Sequence, residues 1–212
     1  MSITLRSLRA VADVIAGATH PDRRIVVGIA GSPGAGKSTL AQELVDVHNL
    51  DAAVLPMDGF HLPQARLVEL GRRERMGAPD TFDVDGFRAT LVALRRGFGN
   101  SGHSIAAPGF DREREESVPG ALNISPEIPC VLIEGNYLLL DSHGWERVAP
   151  LLDLTFFVEI DGDVRIERLI SRHERFGKSA AQAREWALGP DQFNAQLIET
   201  TAARADYRIA LG

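Results

Sequence analysis

Between Ile25 and Leu44 the chain reads IVVGIAGSPGAGKSTLAQEL, an apolar stretch running through a glycine-rich loop into a helical pattern. Gly31, Ser32, Pro33, Gly34, Ala35, Gly36, Lys37 and Ser38 fill the pattern G-x-x-x-x-G-K-[ST] without a mismatch. Loop glycines let backbone N–H groups converge on phosphate oxygens, and the following helix adds its positive dipole end. Lys37 is placed to reach the β- and γ-phosphates and the Ser38 hydroxyl to ligate Mg²⁺. Thr39 follows in the first helical turn and is counted with the nucleotide-binding residues. A strand before and a helix after are the context this loop requires, so the expected ligand is a nucleoside triphosphate.

Two acids stand at the ends of other apolar runs, Glu134 in PCVLIEG and Asp58 in VLPMDG. In open parallel sheets ligands gather at the carboxyl ends of the strands. A phosphoryl-transfer site needs one carboxylate near the metal and another near the attacking hydroxyl. Either acid alone fits a solvated loop. Together with the P-loop on a third strand they suggest a site. Gly59, directly after Asp58, offers a sharp turn that points the acid into a cleft. His61 is split between hydrogen bonding a substrate and packing in its loop. Arg165, Arg168, Arg172 and Arg175 share one predicted helix. Arg168 and Arg172, four apart, are expected to face a transferring phosphoryl group, and Arg165 and Arg175 to lie on the surface. The competing reading is a charged face paired with Glu167 and Glu174.

Stepwise along the chain, Ile25–Ala30, Ala53–Met57, Pro129–Glu134, Leu154–Ile160 and Tyr207–Leu211 read as buried parallel strands. Helical patterns lie between them at Lys37–Val47, Phe87–Arg96, Val164–Phe176 and Asp191–Ala203. The N-terminal segment, through Leu5, Leu8, Val11, Ala12 and Ile15, has the period of a surface helix. A further helix is expected around Ala65–Arg75, and short edge strands at His103–Asp111 and Val118–Ile124. The alternation predicts an α/β fold, a parallel sheet covered on both faces. The 212 residues, 44% apolar and 25% charged, suit one substantial domain, and the formal net charge of −6 argues against a nucleic-acid footprint. No apolar run is long enough to span a membrane and no signal-peptide core is evident. Cys130 is the only cysteine, and a reducing cytoplasm is the simplest compartment.

GSPGAGKS, MDGFHLP, GAPDTFD, IEGNYLLL and RLISRHERFGKS, in that order, resemble the P-loop kinases related to uridine kinase, phosphoribulokinase and pantothenate kinase. Within them, the likeness runs to a bacterial subgroup labelled as sugar-transport or nucleoside kinases. The resemblance implies a P-loop NTPase fold with a five-stranded parallel sheet, a substrate-side insertion (58–128) and a helical lid (164–190) in a single unit, 1–212. It also implies ATP and Mg²⁺, with Asp58 as catalytic base, Glu134 as the acid of the metal site, and Arg112 near the acceptor. Asp111 is a candidate for bonding acceptor hydroxyls. Phe82 and Tyr137 are each divided between pocket wall and core. The implied activity is phosphorylation of a hydroxyl on a small polar metabolite, a sugar, a nucleoside or a pantothenate-like alcohol. The rivals are a regulatory P-loop NTPase and a nucleotide-dependent sensor. The first commonly carries N-K-x-D for guanine, and no Asn-Lys pair occurs here.

Overall fold

The computed structural model describes residues 2–99 and 103–211. The terminal positions of the 1–212 unit and residues 100–102 of the expected 58–128 lobe lie outside them. In chain order the elements are β1 (Ile3–Leu5), α1 (Leu8–Ala18), β2 (Ile25–Gly31), α2 (Lys37–Asp46), β3 (Ala52–Pro56), α3 (Gln64–Glu69), α4 (Val84–Arg96), β4 (Ile105–Asp111), β5 (Glu116–Ile124), β6 (Cys130–Gly135), β7 (Leu154–Glu159), α5 (Gly162–Arg175), α6 (Ala180–Leu188), α7 (Pro190–Glu199) and β8 (Tyr207–Ala210).

Among the described residues the main sheet has six parallel strands, in the order β1-β8-β7-β2-β6-β3. The sixth, β1, corrects the expectation of five. Its three residues pair with Tyr207–Ile209 at the sheet edge, too short a run to register as a buried strand. Leu5, expected on the helix, therefore lies in β1, and the helix starts at Leu8, where the Ser7 side chain accepts from the Ala10 amide. The central strand β2 is buried along its whole length. Its alternate residues feed two cores, Val26 and Ala30 on one face and Ile25, Val27 and Ile29 on the other. The second core also takes Val11, Ala12 and Ile15 of α1 and Leu40, Ala41 and Leu44 of α2.

Other helices begin where capping chemistry says they should. Asp83 accepts from the Gly86 amide at the start of α4, Asp161 caps α5, and Ser179 with Gln182 forms a capping box on α6. The helix expected over Ala65–Arg75 is instead α3, broken at Gly71 in a left-handed conformation (φ +65°), then a short 3₁₀ turn at Arg73–Arg75. Strands β4 and β5 form a separate antiparallel hairpin, with a register shift between Ala107 and Gly109. No helix among the described residues is long and apolar enough to cross a membrane.

Candidate active site

Register places the chemistry. Glu134, near the end of β6, pairs with Ile29 of β2 on one side and Pro56 of β3 on the other. The loop after β2 and Asp58, two residues beyond β3, therefore flank Glu134 at one end of the sheet. A cleft of about 480 Å³ opens there, within the usual range for small-molecule sites. Gly34, Gly36, Lys37, Ser38, Thr39, Asp58, His61, Arg112, Glu134, Arg168 and Arg172 line it. Thus both acids, the loop and the two arginines are brought together.

The loop is packed against α5. Gly34 has φ +83°, and a Cβ there would meet Leu169 Cγ at 2.9 Å and the Arg165 carbonyl oxygen at 3.0 Å. Only glycine meets both demands without strain. Lys37 is buried, 7% exposed. Its Nζ donates to the Ser32 carbonyl at 3.1 Å and to Asn136 Oδ1 at 2.7 Å. Burial pushes the ammonium down to about 8, although Glu134 and Asp58 partly offset the loss of hydration. Ser38 Oγ donates to Glu134 Oε1 at 2.8 Å. Burial, with the Asp58 charge adding to it, pushes the Glu134 carboxyl above its ordinary value.

Asp58 shows the opposite balance. Burial raises its carboxyl, but His61, Arg112, Lys37 and Arg172 together outweigh it and hold the group below the usual carboxylate range. Burial keeps His61 itself below the usual imidazole value, although the Asp58 charge partly offsets it. Arg112 Nη2 lies 3.4 Å from Asp58 Oδ2. His61 Nδ1 lies 2.9 Å from the Asp58 carbonyl oxygen, and its ring packs on Phe82 and Phe110 with centroids 4.0 and 4.9 Å away. Gly59 does not supply a left-handed turn. Asp58 sits in a 3₁₀ turn, Met57–Phe60, and the missing side chain admits the Pro108 carbonyl instead.

Other residues singled out in the sequence lie outside the cleft lining. Phe82 and Tyr137 are buried in the core, edge-on to each other and against Trp145, rather than along the cleft. The Tyr137 hydroxyl donates to the Gly77 carbonyl at 2.6 Å. Gly31, Ser32 and Ala35 are buried behind the loop's exposed edge. Asp111 accepts from the amides of Glu113 and Arg114 and so caps the hairpin turn. Arg165, expected on the surface, is 2% exposed under the loop and donates to Gln192, whereas Arg175 is exposed. Among the cleft residues that the sequence leaves unassigned are Asn136 and Glu115. Asn136, the lysine's partner, follows Glu134 by two and was legible from that adjacency. Glu115 was not, because it joins Arg73 (3.0 Å) and Lys178 (3.5 Å) across three separate segments.

The donor set toward the metal position is oxygen throughout, the Ser38 hydroxyl and the Glu134 carboxylate, which suits a hard divalent ion. Among the described residues no group of three or more His, Cys, Asp or Glu forms a cage. Mg²⁺ fits such a site because it retains waters and takes phosphate oxygens as ligands.

A parallel α/β sheet with this loop, a neighbouring strand-end acid and a second carboxylate across the cleft defines a P-loop kinase. The model of the phosphoribulokinase/uridine kinase family matches residues 26–202, and the chain belongs to that family of ATP-dependent small-molecule kinases. It is 32% identical over 199 residues to YggC of Escherichia coli K12, covering 91% of this chain and 80% of YggC. It is likewise 32% identical over 192 residues to a uridine kinase of Halobacterium salinarum, covering 88% and 80%. A crystal structure from Silicibacter sp. TM1040, described as a fructose transport system kinase, superposes with a TM-score of 0.86 at 34% identity, covering 96% of this chain and 99% of that one.

Proposed function

We propose that the chain transfers the γ-phosphoryl group of ATP to a hydroxyl of a small polar metabolite, a sugar, a nucleoside or a pantothenate-like alcohol, with Asp58 as general base. The observation that carries this reading is that Lys37 and Asp58 line one cleft on either side of the buried Glu134.

In this reading the loop amides and Lys37 hold the triphosphate, while Ser38 and Glu134 hold Mg²⁺. The ion, when bound, neutralises phosphate charge. Asp58 orients the acceptor hydroxyl and takes its proton as the oxygen attacks phosphorus. Arg168, whose Nη1 lies 3.5 Å from where a Cβ on Gly36 would stand, and Arg172 stabilise charge on the transferring group. His61 and Arg112 stand on the acceptor side. The segment 164–190 acts as a lid and 58–128 as the acceptor lobe. Catalysis is then chiefly positioning and electrostatics.

The test is ADP release with Mg·ATP against uridine, fructose, further sugars and nucleosides, and pantothenate. Uridine and fructose lead because the relatives' names contain them. Asp58→Asn should retain nucleotide binding and lose about 10²- to 10³-fold in turnover, the scale of general-base catalysis. Unchanged turnover removes Asp58 from the role. Slow hydrolysis that no metabolite stimulates points to a regulatory NTPase or a sensor.

A further inference from the structure

The hairpin carrying Arg112 is locked onto the turn carrying Asp58. A Cβ on Gly59 would lie 2.2 Å from the Pro108 carbonyl oxygen, so the two backbones are in direct contact. Ser117 Oγ donates to the Gly59 carbonyl at 2.5 Å. Asp111 caps the turn in which Arg112 stands. The tip beyond it is tied down by Gln64 Nε2 to the Glu115 carbonyl (2.7 Å), and by Arg73 (3.0 Å) and Lys178 (3.5 Å) to the Glu115 carboxylate. Arg112 therefore meets Asp58 from a fixed arm, not as a loose surface side chain.

The contact itself is slight. One guanidinium nitrogen stands 3.4 Å from one carboxylate oxygen, and the side chains are 41% and 28% exposed. A pair of that kind is easily exchanged for another polar partner. While it lasts, it has a chemical consequence, because a carboxylate beside a guanidinium is a weaker proton acceptor. A kinase needs such control, since water reaches the cleft before the acceptor does and can attack the same phosphorus.

We propose that Arg112 masks Asp58 until an acceptor draws the guanidinium away, so that the base is weak toward water and strong toward the acceptor. The inference rests on Asp58 being the base. With the mask in place, a water beside the γ-phosphoryl group keeps its proton. Once acceptor oxygens occupy the guanidinium, Asp58 takes the acceptor's hydroxyl proton, that oxygen bonds to phosphorus, and the bond from phosphorus to the β–γ bridging oxygen breaks to release ADP. When water replaces the acceptor, the same bonds form and break and the products are ADP and inorganic phosphate. Arg112 is thus a positioning residue that selects acceptor over water.

Acceptor-free ADP release with Mg·ATP tests this without knowing the acceptor. Arg112→Gln should raise that release about tenfold or more with nucleotide affinity unchanged. Arg112→Lys, which restores a cation to the arm, should return most of the suppression. Adding Asp58→Asn to Arg112→Gln should bring release back to the level of Asp58→Asn alone. If Arg112→Gln releases ADP no faster than the parent, the mask is refuted while the kinase reading stands. If release rises but Asp58→Asn does not reverse it, Asp58 is not the base, and the mask falls together with that role. Circular dichroism on each variant separates these results from unfolding.

Discussion

At the loop end of the cleft, Lys37 is 7% exposed and held by a backbone carbonyl and the Asn136 amide, and the Gly34 backbone is wedged against Leu169 and Arg165. At the hairpin end, Arg73, Glu115 and Lys178 meet through side chains that are 26–41% exposed. The first end is dry and centred on one contiguous loop, with its supports buried. The second is wet, assembled from distant segments and built on ion pairs. A triphosphate presents the same oxygens in every such kinase, so a stiff cradle serves it. On the proposed function the acceptor must enter, be recognised and leave, and exposed ion pairs let side chains exchange partners at small cost while the hairpin backbone stays locked on the Asp58 turn.

The sharpest way to break this contrast is Lys37→Met. At the dry end, removing the buried cation that the proposed function aims at the phosphates should lower turnover by about 10²- to 10³-fold, the loss typical of a preorganised electrostatic group. The fold should not suffer. Burial holds the ammonium down at about 8, so at pH 7 the native state bears the cost of a charged, desolvated lysine that the methionine removes. ADP release and a melting curve read the two effects, and a melting temperature that falls markedly would show that the lysine is a structural strut.

What the sequence disclosed follows the same division. The loop expected to hold phosphate is eight contiguous residues that fill one spacing pattern, and Asp58 and Glu134 each end an apolar run. Adjacency along the chain was enough to find them. The sheet was legible for the same reason, except β1, whose three residues gain their place only by pairing with β8. Phe82 and Tyr137 lie in segments that also line the site, and nothing in their spacing tells a core ring from a wall ring. Their neighbour Trp145, more than 60 residues from Phe82, decides the matter. Arg165 was hidden because burial of an arginine depends on α7 and Gln192 packing over it. Glu115 was hidden because its meaning lies in Arg73 and Lys178, each supplied by another segment.

A middle-sized effect concerns pH. With Lys37 lowered to about 8 in the free protein, bound phosphates favour its charged form and raise it again. Nucleotide binding near pH 8 should therefore take up a proton. Affinity should be level below about 8 as far as Lys37 is concerned, and weaken up to tenfold per pH unit above it, until the raised value of the complex is reached. Calorimetry in buffers of different ionisation enthalpy measures the uptake. Lys37→Met should abolish it, and persistence in that variant would assign the proton to another group.

The smallest effect belongs at the wet end. Glu115→Gln removes the anion shared by Arg73 and Lys178, yet each pair is more than a third exposed on at least one side, so the stability change should stay within about 1 kcal/mol. The acceptor KM should rise a few-fold as the hairpin tip loosens, with kcat nearly unchanged because Asp58 and the loop are untouched. Salt supplies the discriminating control. At 1 M ionic strength the screening length falls to about 3 Å and exposed pairs weaken, so the KM difference between parent and variant should shrink. Lys37, shielded from ions by its burial, should keep its contribution under the same conditions. If instead the Glu115→Gln defect survives high salt, the hairpin tip is held by packing and shape, and the two ends of the cleft are more alike than their exposure suggests.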